Sequence, residues 1–263
     1  MRYRPIGMSF AVAAALAAAT AARASTLTTS HYSGVAYAAG SQTVRYREEH
    51  WVFDDGGARE RLVLYRCPDG RPFARKNVRY TNTAWTPDVD YDDARSGYRE
   101  SVKVDGPRLS TTVVKNARAT ADSTTLDVHP DTVVDAGFDD FVRAHWDAIT
   151  QSKGLTARFV VPSRGSDLRL NIRPDGDTDA PSVRRFRMAL DGWLGGIAPT
   201  VTLLYTADTH RLVGFEGLSN VKGDDGKNQQ VRIVFTPRDD QPPVSLDQVA
   251  DARRMPLVER CAR

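Results

Sequence analysis

Apolar and polar side chains alternate along most of the chain, the period of extended strands covered on one face. The clearest run is 42–54, QTVRYREEHWVFD, closed by the turn sequence Asp54-Asp55-Gly56-Gly57. Strands are also predicted at 33–39, 59–67 and 71–81, with Pro68-Asp69-Gly70 turning the chain between the last two. Residues 82–96, with Pro87 and several aspartates, read as a longer loop. Strands resume on either side of Gly106-Pro107, and again from 155 to 236, where a final hairpin turns across KGDDGK at 222–227. The period changes over 134–152, where Phe138, Phe141, Val142, His145 and Ile149 fall on one stripe. That spacing predicts a helix over 135–152, with Asp135 as its N-cap and Gly154 beyond its end. A shorter helix is predicted at 245–254. About eleven mostly consecutive strands with one main amphipathic helix predict a mainly β fold. The expected form is a strongly curved antiparallel sheet, an incomplete barrel, with the helix packed on it. It forms a single domain over 25–236, and 237–263 is a tail.

Alternation also divides the charged stretch YREEHWV at 46–52. Tyr46, Glu48, His50 and Val52 take one face; Arg47, Glu49, Trp51 and Phe53 take the other. A fainter copy, YRESVKV at 98–104, groups Tyr98, Glu100 and Val102, and 71–81 groups Ala74, Lys76, Val78 and Tyr80. If these are the covered faces, Glu48, His50, Lys76 and Glu100 are buried charges that must be paired. No metal site is predicted: one histidine and scattered acids do not supply the three or four donors zinc takes, and HExxH is absent. No catalytic residue is predicted either, because a Glu–His pair two residues apart nominates no nucleophile. GLSNV at 217–221 fails GxSxG at Val221 and lies in a hairpin rather than a strand-to-helix turn. Asp175, Asp177 and Asp179 imitate the start of a calcium loop, but Ala180 and Phe186 stand where it needs Gly and Glu.

Composition adds a compartment. Arg2 and Arg4, the apolar run Met8–Ala19 and Ala22-Arg23-Ala24 read as a signal peptide cleaved after Ala24. The run is shorter than the ~20 residues of a spanning helix, and no membrane span is predicted in the mature chain. The leader carries three arginines and no acid, so the mature chain balances 33 basic against 33 acidic residues. With charges interspersed and no basic arm, nucleic acid is not an expected partner. The mature protein is expected to be soluble and exported, with the bacterial periplasm as its compartment. An even pair of cysteines in an oxidising compartment predicts a Cys67–Cys261 disulfide, with two unrelated thiols as the alternative.

The order of strands and aromatic-faced helix resembles the periplasmic lipoprotein-carrier (Lol) half-barrel superfamily over most of 31–236. YREEH, RCPDGRPFARK (66–76), VDAGFDDFV (134–142) and GFEGLSNV (214–221) also look like signatures of an uncharacterised exported proteobacterial family. The half-barrel resemblance implies a concave face that shelters acyl chains beneath helices. It implies no cofactor and assigns no residue. A longer chain, an added tail and more inner-face charge depart from the simple carriers. Three functions stay open: a carrier for a lipid-like or amphipathic molecule, an envelope scaffold with a filled core that binds an envelope protein, and a hydrolase. For the carrier, Phe138, Phe141, Trp146, Trp193 and Leu194 are the candidate apolar contacts, and Glu48, His50 and Lys76 the polar ones.

Overall fold

Two runs of antiparallel strands are stitched together by the first strand and the last. The computed structural model describes residues 1, 30–151, 154–176, 178, 180–192, 200–223, 225–236 and 244–262. The predicted leader and cleavage site, and the candidate contacts Trp193 and Leu194, therefore lie outside the described residues.

The first run is β1 (Ser30–Ala38), β2 (Val44–Asp55), β3 (Ala58–Arg66), β4 (Pro72–Tyr80), β5 (Asp88–Asp93), β6 (Tyr98–Asp105), β7 (Arg108–Val114) and β8 (Asp122–Asp127). A two-residue strand, β9 (Thr132–Val133), leads into a 3-10 turn at Asp135–Gly137, then α1 (Phe138–Ala144) and α2 (Trp146–Gln151). The second run is β10 (Leu155–Val161), β11 (Ser166–Pro174), β12 (Val183–Leu190), β13 (Val201–Thr206), β14 (Leu212–Lys222) and β15 (Asn228–Phe235), followed by α3 (Leu246–Arg254). β1 pairs antiparallel with both β2 and β15, so all fifteen strands form one sheet with β8 and β9 at its edges. All pairings are antiparallel except β9 with β10.

The sheet is strongly curved. Val160 of β10 packs in one cluster with Val78, Val89, Val102 and Leu109 from the other arm. No strand ladder closes the ring among the described residues. No helix among them is long and apolar enough to cross a membrane.

The strand count corrects the expected eleven, and β5 shows why. Its sequence DVDYDD is rich in a residue depleted from strands. Yet Val89, Tyr91 and Asp93 are buried, while two of the outward aspartates are engaged by the next strand. Asp88 accepts from the Val104 amide at 2.9 Å, and Asp90 from Lys103 at 2.7 Å and Ser101 at 2.8 Å. Cross-strand partners thus override propensity. β8, polar and threonine-rich at the edge, carries no apolar alternation to betray it.

The helix expected over 135–152 is interrupted at His145, whose backbone leaves the helical region while its Nδ1 lies 2.9 Å from the Phe141 carbonyl. Asp135 is not its N-cap. It is the first residue of the 3-10 turn, preceded by Val134 as N-cap, and its carboxylate is engaged elsewhere. At the turn's end a Cβ built on Gly137 would lie 2.4–2.5 Å from the Trp85 backbone. Gly137→Ala is accordingly expected to cost about 1–3 kcal/mol by overpacking, seen as a lower urea midpoint with an unchanged m-value.

The convex side is covered by the tail. Ser245 and Gln248 form a reciprocal capping box that starts α3. Val249 and Ala252 then pack on Trp51, Phe53, Leu62 and Leu64. The tail ends in the disulfide Cys67–Cys261, with Cα atoms 5.4 Å apart.

Candidate functional site

Strand register assembles the site. On one face of a ladder, the partner of an inward residue also points inward. His50 of β2 is opposite Val63 of β3, Val63 is opposite Lys76 of β4, Lys76 is opposite Tyr91, and Tyr91 is opposite Glu100. Glu48 begins the neighbouring row, running through Tyr65, Ala74 and Asp93 to Tyr98. The concave face of the first arm therefore carries a band of charge and phenol.

These groups are buried and paired. Glu48 and His50 lie 3.0 Å apart, and the His50 ring stacks on Tyr32 with centroids at 4.4 Å. Lys76 donates to Asp135 at 2.5 Å, which joins β4 to the entry of the helices. Burial opposes the Lys76 charge, but the field and hydrogen bond of the Asp135 carboxylate outweigh it and hold its pKa above the ordinary lysine value. Glu100 accepts from the Tyr98 hydroxyl at 2.6 Å, yet burial still raises its carboxyl pKa. Burial likewise pushes Tyr46, Tyr65 and Tyr91 upward, so all three remain neutral phenols.

Facing this band across a cavity of about 250 Å3 is an apolar wall from the second arm. Phe159, Met188, Leu203, Phe215, Ile233 and Phe235 are its main residues; Glu48, His50, Arg61, Lys76, Asp135 and Asp139 form the polar side. Gly34 makes room for the apolar wall next to β1: a Cβ there would lie 2.8 Å from the Phe235 ring. A smaller chamber of about 100 Å3 adjoins it, with His50, Arg61, Asp139, Leu212 and Phe235 lining both.

The sequence candidates divide cleanly. Glu48, His50, Lys76 and Phe138 line the larger chamber. Phe141 and Trp146 do not. Phe141 is buried in the core of the second arm, and Trp146 is sandwiched among Phe186, Tyr205 and His210, stacking on His210 at 3.8 Å. The sequence reading missed Arg61, although the same alternation that aligns Val63 and Tyr65 puts Arg61 on their face. It also missed the apolar wall, whose residues come from five strands with no shared motif.

Ser219, of the near-miss GLSNV, lies 2.8 Å from the Tyr46 hydroxyl and accepts from the Val221 amide at 3.0 Å. That arrangement anchors β14 against β2 and supplies no base-activated nucleophile. Among the described residues no three of His, Cys, Asp and Glu converge as metal ligands.

No protein-family model matches the chain, and no curated protein does. Among solved structures, a DUF1329 family protein from Desulfovibrio piger is similar over 80% of this chain and 84% of its own. The two share 8% identity at a TM-score of 0.25, a likeness too slight to assign fold or function.

Proposed function

We propose that the protein is a binding or carrier protein for an amphipathic small molecule, held inside the curved sheet. The observation that carries this reading is the two-sided cavity, with one wall of charged side chains and the other of aromatic and aliphatic ones. Ligand pockets combine an apolar lining with a few fixed polar groups, usually in ~300–1,000 Å3. The larger chamber lies just below that range at about 250 Å3, which favours a short chain or one end of a longer one. The leader at 1–24 and the two cysteines support the periplasm as its place of action, in keeping with the half-barrel carriers that the chain resembles.

The test is calorimetric titration of delipidated protein with saturated fatty acids and a neutral alkyl detergent. Saturable binding of one molecule per chain is expected; the absence of heat and of any rise in melting temperature across the series would remove the proposal. A carboxylate placed on the apolar wall should weaken binding selectively. Met188 is half-buried there, so Met188→Glu is expected to lower affinity about tenfold or more through the cost of desolvating the new charge. A near-unchanged melting temperature would show that the fold is intact.

A further inference from the structure

We infer that the smaller chamber seats an anionic head group, so that the ligand is an amphipath bearing a carboxylate or phosphate. This deepens the reading of the cavity as a binding site and rests on it. The smaller chamber is lined by three arginines, Arg61, Arg143 and Arg211, against one acid, Asp139. Behind them Asp140 pairs with Arg59, Arg61 and Arg143.

Arg61 is the pivot. It is 8% exposed, lines both chambers, and stands where they meet. Its Nε and Nη2 make no hydrogen bond; the Asp140 oxygen 3.7 Å from Nη2 is an ion-pair partner beyond hydrogen-bonding distance. A buried guanidinium with unmet donors is unfavourable, and its planar fork matches a two-oxygen anion. Two other cationic groups on the polar wall are already engaged: Lys76 by Asp135, and His50 by Glu48. Neither presents two unmet nitrogens of one planar fork, as Arg61 does. An alkyl chain extending from Arg61 would enter the larger chamber past Leu212 and Phe235, which line both.

The experiment compares three ligands of one chain length, decanoate, decyl phosphate and decanol, with acetate as a head-only control. The full chain and its Arg61→Met variant are titrated. Decanoate or decyl phosphate is expected to bind wild type about tenfold to a hundredfold more tightly than decanol, the span of a charge-assisted hydrogen bond. Arg61→Met should abolish that difference and leave decanol binding in place. Should that variant not fold, the wild-type comparison and Arg211→Gln, at the half-buried rim, decide in the same way. Equal binding of all three chains would overturn the anionic head and leave the amphipath reading standing. Acetate binding as tightly as decanoate would overturn the amphipathic ligand class. Failure of every ligand would overturn the binding function itself.

Discussion

Replacing Cys67 and Cys261 together by alanine is expected to lower the unfolding free energy by about 3–5 kcal/mol. The bond spans a sequence separation of 194 residues, so its loss restores a large conformational freedom to the unfolded chain. The folded state should lose less, because the tail is also held by side chains and backbone. Arg253 donates to Glu60 at 2.7 Å, the Val258 amide donates to the Pro72 carbonyl at 2.8 Å, and Arg75 bonds the Met255 carbonyl. α3 should therefore remain on β2 and β3 in the variant, with the native circular dichroism retained. Urea unfolding of wild type with and without reductant makes the same comparison without substitution. Equal stability in both would show that the bond does not constrain the chain.

Removing Asp135 is expected to be the most damaging single change in the polar wall, and more so than removing its partner. The asymmetry comes from burial. The Lys76 side chain is 8% exposed and that of Asp135 31%. Asp135→Ala strands an ammonium away from water, with the more distant Glu100 as its remaining acid neighbour among those that raise its pKa. Lys76→Met leaves a carboxylate that water can reach. Breaking a buried pair from one side costs about 3–5 kcal/mol, and the low end is expected for Asp135→Ala because its own side chain is part-solvated. Lys76→Met should cost clearly less. The double variant should recover stability relative to Asp135→Ala, since no charge is then left unpaired. Denaturant midpoints of the four proteins test this, and a cycle in which the two single losses simply add would refute the coupling.

The pair also shows where sequence reading stops. Period-two alternation placed Glu48, His50 and Lys76 on inward faces, and all three are buried there. It placed Asp135 at a helix start, where a carboxylate usually caps the helix. Nothing local to Asp135 reveals that a lysine 59 residues away faces it. Once Lys76 is enclosed, pairing its charge is worth more than one amide bond, so the carboxylate leaves the helix end. β5 fails in the same manner: four aspartates in six residues argue against a strand until Lys103, Ser101 and the Val104 amide meet Asp90 and Asp88.

The sequence by itself determined which residues share a face, because strand geometry fixes that with a period of two and needs no partner. It therefore determined the β character, the inward charges of β2 and β4 and the hairpins with short turns, while the pairing of the two cysteines stayed open until the structure showed the bond. Only the tertiary structure decided what those faces meet. β1 pairs with a strand nearly 200 residues later, Gly34 opposite Phe235, and this seam brings the charged arm against the apolar arm. Alternation carries no information about neighbours that distant, since any two strands of matching face can pair locally. The cavity belongs to that seam and to the curl of the sheet; neither arm contains it alone.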